Sequence, residues 1–370
     1  MDPKILPLLR CPVDGAPLRL ETIESLDTAS GSAIRTGLLL NDQAKLWYPI
    51  VNFVPILLAF PTPLSTAFAT EYASRLASHP GYTLPNLPPM PGERSVQQTF
   101  TEEWAGLADD ELTFIYRDDE LIALHRDVWL QMTEIERLRV DWLLNVGVGF
   151  GKESRILAEL FPNAEVIALD LNLALVAAGE TLRNAPRVHP VVASLFRIPF
   201  APATMAHVHS QGVLHHTYST KAAFDSITRF VRADGSLFIW LYATEDAYVV
   251  PGLRGFIIWL YWFTTHRLFR PWLSRSPAFL RNGVMFLITC LLHPLIKLRD
   301  RRPAGWRFHN TLHGLRDAFT PRYAHQHGFN EVALWFEEAG FIPKPQSPKK
   351  YLELIGKRLL GVGYIGQRRP

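Results

Sequence analysis

The sequence predicts an α/β fold: a doubly wound, seven-stranded, mostly parallel sheet, with a small N-terminal β-rich module and a helical insertion. Three observations predict it. Short apolar strands alternate with helices of roughly ten residues from Trp142 to Ala243. The first strand runs straight into a cluster of glycines and then into a helix. The same alternation resumes near the C-terminus after a long aromatic interruption.

The strand runs are Trp142–Val146, Glu165–Asp170, Val188–Ala193, Ala206–Gln211 and Ser236–Ala243. The helical runs between them are Lys152–Phe161, Leu173–Arg183 and Thr220–Arg232. Near-continuous apolar strands of this kind suit a parallel sheet covered on both faces. Asp119–Val140 reads as one helix ahead of the first strand. Asn330–Ala339 reads as a last helix, stopped by Gly340, with terminal strands at Phe341–Gln346 and Val362–Gln367.

The N-terminal region differs in texture. Residues 1–60 form the module, where short apolar pieces and turn residues alternate. Residues 61–94 are proline-rich and read as a linker. The α/β domain is expected over 95–370, with the insertion at 246–308.

Composition sets bounds. The chain has 370 residues, 48% of them apolar and 20% charged, enough for a sizeable core. A net charge of +3 is too small to argue for nucleic acid. The two cysteines lie far apart in sequence, and with no leader pattern at the N-terminus they predict a cytoplasmic protein.

The glycine turn carries the first functional signal. In Leu143-Leu-Asn-Val-Gly-Val-Gly-Phe-Gly151, the glycines let the backbone turn sharply and let a ligand approach the main chain. Asp170 follows 19 residues after Gly151, at the end of the next strand. A carboxylate there can accept both ribose hydroxyls of a nucleotide cofactor. The dinucleotide fingerprint needs a glycine where this chain has Lys152, so the spacing is Gly-x-Gly-x-Gly.

That spacing resembles the first motif of class I S-adenosylmethionine-dependent methyltransferases. The resemblance covers roughly 95–245 and 305–370, in the family's order. EVIALDLN is similar to the ribose-binding strand end, SLFRIPF to the adenine side, HSQGVLHHT to the motif beside the methyl group, and RADGSLFIWLYA to the fifth strand. It implies S-adenosyl-L-methionine as cofactor, held by Asn145, Gly147, Gly149, Gly151, Asp170, Leu171, Ser194, Leu195 and Gln211. It implies His215 and His216 beside the reacting atoms, where a histidine can take a proton. It places Arg322, Tyr323 and His327, in and after the segment Asp317–Tyr323, on the substrate side. The family usually carries an acid where this chain has Asn145 and often one at His207, and often Asp at Ser194.

LLRCPVDGAPL, GLLL and LWYPIVNFVPILL resemble the zinc-ribbon-like domain of tRNA-methyltransferase activator proteins. Zinc-binding versions need Cys-x-x-Cys pairs, and Asp14 stands where Cys11 would find its partner. The module is therefore expected without zinc. His309/His313 and His325/His327 have metal-compatible spacing but no companion cluster, so no metal is expected.

The insertion contains two apolar blocks, Gly255–Phe263 and Gly283–Leu292, each too short to span a bilayer. Three roles are open to them: helical cover on the sheet, an apolar lid on the substrate pocket, or peripheral membrane contact through 255–298. The expected function is methyl transfer to a small apolar or aromatic acceptor. The alternatives are an RNA or protein methyltransferase, and a non-catalytic cofactor-binding partner protein.

Overall fold

The computed structural model describes residues 1–28, 31–105, 116, 118–244, 252, 253, 256, 259, 260, 263–299, 306–356 and 361–369. Among them one sheet of eleven strands organises the molecule. Its strands are β1 Arg19–Thr28, β2 Gly31–Asn41, β3 Leu46–Val51, β4 Val54–Leu57, β5 Trp142–Val146, β6 Glu165–Asp170, β7 Val188–Ala193, β8 Met205–Gln211, β9 Val231–Leu241, β10 Phe341–Pro345 and β11 Val362–Arg368. The order is β1-β2-β3-β4-β7-β6-β5-β8-β9-β11-β10.

The seven expected strands of the α/β domain are all present, β5 to β9 parallel and β11 antiparallel to β9. The order reverses between β5 and β8, which opens a crevice at the strands' C-terminal ends. The strands are buried on both faces because helices cover both, and for that reason their sequences are continuous apolar runs.

The helices are α1 Pro63–Glu71, α2 Ala73–Ala77, α3 Glu93–Trp104, α4 Asp118–Ala123, α5 Glu134–Leu138, α6 Lys152–Leu160, α7 Ala174–Ala177, α8 Gly179–Leu182, α9 Thr220–Thr228, α10 Arg270–Leu273, α11 Ala278–Arg299, α12 Phe308–Phe319, α13 Phe329–Glu338 and α14 Pro348–Ile355. Local chemistry sets several ends. Ser219 caps α9 by accepting from the Ala222 amide, and Gly340 follows α13 at φ 82°.

Four features differ from expectation. The N-terminal module is not a detached unit: its meander β1–β4 joins the main sheet, with Ile56 and Leu57 of β4 in parallel register with Val192 and Ala193 of β7. Residues 61–94 contain α1 and α2 rather than linker alone. A Thr62/Ser65 capping box starts α1, and Phe68 packs against Leu38, Leu40 and Trp47. The helix expected over 119–140 is divided into α4, a π-helical stretch Leu124–Leu130 and α5. Gln131 turns left-handed at φ 49°, and a Thr133/Glu136 capping box starts α5 afresh. The second apolar block extends to the 22-residue helix α11, of which Ala278–Leu298 is long and apolar enough to cross a membrane.

Candidate active site

A cavity of about 820 Å³ opens at the C-terminal ends of the parallel strands. The residue at or just past each strand end lines it: Gly147 after β5, Asp170 of β6, Ser194 after β7, Gln211 of β8 and Tyr242 after β9. The volume lies within the roughly 300–1,000 Å³ typical of ligand pockets.

The glycine turn is built as its sequence suggests. Gly147, Gly149 and Gly151 all have positive φ, at 84°, 57° and 84°. A Cβ on Gly149 would lie 2.5 Å from the Trp104 ring, and one on Gly147 2.1 Å from Val213. The main chain is therefore bare where it meets the cavity. The Gly149 amide donates to Asp170 Oδ2 at 2.8 Å, and the Asn172 amide donates to Oδ1 at 2.8 Å. Burial pushes this carboxyl up, against the pull of those two amides. Each oxygen keeps further acceptor capacity. Leu171, Ser194 and Leu195 also line the cavity.

Asn145 lies behind the turn rather than in the cavity lining. Its amide nitrogen donates to Ser154 Oγ at 3.1 Å and Glu153 Oε2 at 3.3 Å. An acid at 145 would face the Glu153 carboxylate, which explains why an amide stands here. Gly149 and Gly151 shape the turn without lining the cavity. His207 is buried and donates to or accepts from Ser236 Oγ at 2.7 Å, and burial holds it well below its ordinary value.

The two adjacent histidines have different places. His216 lines the cavity. Its Nδ1 donates to the Tyr323 carbonyl at 2.8 Å, so in the neutral ring Nε2 carries the lone pair. Asp317 Oδ1 lies 3.6 Å from that Nε2, and the Tyr242 hydroxyl donates to Asp317 Oδ2 at 2.8 Å. His215 does not line the cavity. It is fully buried, stacked on Tyr242 at 3.9 Å, and neither ring nitrogen has a hydrogen-bond partner.

The expected substrate-side residues are structural instead. Arg322 is exposed over the Tyr323 ring. Tyr323 lies against Gly92, and His327 is held by Thr220 at 2.9 Å and Glu331 at 3.1 Å. Within the segment that contains Arg322 and Tyr323, it is Asp317 that reaches the cavity. Burial opposes its charge, but His216 and the Tyr242 hydroxyl hold the carboxyl below the usual range. Glu103, also in the lining, goes the other way: burial and then the Asp317 charge push it well above the usual range.

Helix α3 supplies a wall that the sequence reading missed. Gln97, Phe100, Glu103 and Trp104 line the cavity at helical spacing. Gln97 Nε2 donates to the Leu171 carbonyl at 3.0 Å, and the Leu173 amide donates to Thr101 Oγ1 at 2.9 Å. These bonds fix α3 over the β6 strand end.

A second buried polar cluster adjoins the cavity. His125 Nδ1 donates to the Leu121 carbonyl at 2.8 Å, and its Nε2 lies 3.0 Å from Glu153 Oε1. His209 Nε2 is 3.4 Å from the same oxygen. Burial opposes the Glu153 charge, but the two imidazoles hold its carboxyl far below the usual range. Of His, Cys, Asp and Glu groups spaced to hold an ion, this is the one among the described residues. The histidine pairs noted in the sequence do not join it: His325 bonds the Thr217 carbonyl, and His313 faces Glu103.

Residues 144–239, from β5 to β9, match a family model described as a methyltransferase domain. That match spans about a quarter of the chain and falls on the parallel strands of the α/β sheet. Malonyl-[acyl-carrier protein] O-methyltransferase of Legionella pneumophila is 29% identical over 96 residues, which cover 26% of this chain and 34% of that protein. Among solved structures, the 1,6-didemethyltoxoflavin-N1-methyltransferase of Burkholderia thailandensis covers 78% of this chain and 93% of its own, at 14% identity and a TM-score of 0.42. The S-adenosylmethionine-dependent methyltransferase SibL covers 64% and 52%, at 18% identity and a TM-score of 0.39.

Proposed function

We propose that the chain transfers a methyl group from S-adenosylmethionine to a small apolar or aromatic acceptor. The carrying observation is that one cavity joins the bare glycine turn and Asp170 to an apolar wall containing Val96, Phe100, Trp104 and Trp240. The residues present fit the cofactor. Asp170 would accept the ribose hydroxyls, the Gly147 main chain would hold the amino-acid end, and Ser194 and Leu195 would hold the adenine. S-adenosylmethionine, when bound, supplies an electrophilic methyl carbon on a sulfonium.

The chain's own residues do the rest. Phe100 and Trp104 hold an apolar acceptor and exclude water. His216 takes the acceptor's proton at Nε2, and the Asp317 carboxylate stabilises the imidazolium that forms. Burial and the Asp317 charge favour the protonated form of Glu103, which would serve as a hydrogen-bond donor. Two neighbouring carboxyl groups pushed in opposite directions divide these tasks.

Calorimetric titration with S-adenosylmethionine tests the reading. Binding is expected in the micromolar range or tighter, and Asp170→Ala is expected to weaken it by about 1.5–3 kcal/mol, the range for hydrogen bonds to a charged group. No binding to the native chain, or unchanged affinity in a folded variant, overturns it.

The N-terminal meander is, on this reading, an activator-type module that folds without zinc. Cys11 is buried with its sulfur 3.1 Å from the Tyr48 hydroxyl, and Asp14 accepts from Asn41. Both groups therefore have protein partners. Elemental analysis after dialysis against a chelator is expected to show no zinc that depends on Cys11. Retained zinc that Cys11→Ala removes would refute this. The free state of both cysteines supports work in the reducing cytoplasm.

A further inference from the structure

The insertion, drawn from the sequence as cover, lid or membrane contact, neither covers the sheet nor, among the described residues, lines the cavity. Its helices are turned inside out relative to ordinary surface helices. Along α11 the outward positions are Phe279, Phe286, Leu287, Leu291, Leu295 and Leu298, each more than half exposed. They recur every three to four residues and form one stripe. Gly283, Cys290 and Pro294 complete that face, which among the described residues holds no charged side chain.

The polar groups point inward. Arg281 pairs with Glu102 at 2.7 Å, Thr289 is fully buried, and His293 Nδ1 bonds Thr311 Oγ1 of α12 at 2.8 Å. Met285 packs against Leu273 and Phe319. The segment before α11 repeats the arrangement. Phe256, Trp259 and Phe263 are exposed and stacked ring on ring, and Leu268 and Trp272 are exposed beyond them. Arg270 is buried and donates to the carbonyls of Pro321 and Tyr323.

An aqueous protein seldom leaves so much contiguous apolar surface bare. Charge identifies what covers it. Residues 247–299 contain Arg254, Arg267, Arg270, Arg275, Arg281, Lys297 and Arg299, and no Asp or Glu. Arg267 and Arg275 are exposed and Lys297 half-buried. A second copy of the chain would bring these like charges together, whereas an anionic lipid surface attracts them.

We propose that the outer face of α11, with the exposed Phe256, Trp259, Phe263, Leu268 and Trp272, forms a docking surface for an anionic lipid bilayer, with α11 lying in the plane of the interface. Although α11 is long enough to cross, its inner stripe argues for the in-plane position. A spanning helix would carry Arg281 and His293 into hydrocarbon and break their bonds to Glu102 of α3 and Thr311 of α12. Tryptophans flanked by arginines are the composition that an interface selects. The arginines that anchor the insertion hold it to α3 and to the carbonyls beside His216, so the surface lies against the walls of the cavity. An apolar acceptor dissolved in the bilayer would then reach the cavity from that side; this last step alone rests on the proposed function.

Flotation of the full chain with vesicles tests the docking surface without any assay of methyl transfer. Binding to phosphatidylcholine vesicles containing phosphatidylglycerol is expected to be at least about tenfold tighter than to phosphatidylcholine alone, and to weaken with salt. The double variant Leu287→Gln, Leu291→Gln is expected to lose about tenfold or more on both. Arg267→Gln with Arg275→Gln should lose only the preference for the anionic lipid. A fluorophore on the exposed Cys290 should shift to the blue on binding. Each variant should keep its affinity for S-adenosylmethionine, which separates failure of this surface from failure of the cofactor site. Absence of flotation, or a dimer that the leucine variant dissociates, overturns the proposal. A chain that resists alkaline extraction from vesicles overturns the in-plane position.

Discussion

Replacing Glu153 by alanine is expected to destabilise the fold by about 3–5 kcal/mol, the usual cost of removing one partner from a buried ion pair. His125 Nδ1 already donates to Leu121, and its Nε2 faces Glu153 Oε1 at 3.0 Å. His209 approaches the same oxygen. Alanine would leave two buried imidazoles without the carboxylate they face, and would strip the Asn145 amide of a partner. Glu153→Gln keeps the volume and a dipole, and should cost less, roughly 1–3 kcal/mol. Urea unfolding of the ligand-free chain measures both; a loss under ~1 kcal/mol for the alanine variant would sink the ion-pair reading. The pH dependence follows in sign. The folded carboxyl lies below its unfolded value, so its contribution is full above the unfolded value and is lost as pH falls through the folded one. Acid should therefore destabilise the native chain more steeply than the glutamine variant.

Part of the molecule was legible because the chemistry that specifies it is local. Strand ends at Val146, Asp170, Ala193 and Gln211 coincide with the expected ones, because each buried strand is an apolar run punctuated by turn residues. The glycine turn and Asp170 are likewise local, a fixed offset along one chain. The pairing of β4 with β7 was not legible, since it joins residues more than 130 positions apart through two ladder positions, Ile56 and Leu57. Nor was the split of residues 119–140, where a capping box outweighed a continuous apolar stripe. Sequence signal for α3 existed: Gln97, Phe100 and Trp104 share a helical face, but nothing local says what that face covers. Among the catalytic and substrate-side candidates, pattern pointed to His215 and His216 alike and to Arg322, Tyr323 and His327, and it could not tell the two adjacent histidines apart. The fold gives His215, Arg322, Tyr323 and His327 to packing and hands the cavity to His216 and Asp317, because orientation on a short 3-10 turn is settled by tertiary contacts. The insertion failed in a more instructive way. Its apolar residues suggested burial, and their helical phase places them outward instead, a fact visible only once Arg281, Met285 and Thr289 are seen to face in.

His216→Phe is expected to lower kcat by about 10²–10⁴-fold, the range for loss of general-base catalysis, while leaving cofactor affinity within about threefold. The ring volume and the contact with Phe100, whose centroid lies 5.3 Å away, are kept; only the nitrogens are lost. Nε2 is the atom that matters, because Nδ1 is committed to the Tyr323 carbonyl and fixes which nitrogen bears the lone pair. Asp317→Asn should give a smaller loss of kcat, since an amide cannot stabilise the imidazolium but still accepts the Tyr242 hydroxyl bond. Transfer of radiolabelled methyl groups from S-adenosylmethionine into an organic extract of bacterial cells supplies the assay. A purely structural role predicts something different: melting temperature, cofactor affinity and kcat would fall together. Unchanged kcat in a folded phenylalanine variant would remove His216 from the chemistry and leave Asp317, a cavity carboxyl held below the usual range, as the proton acceptor.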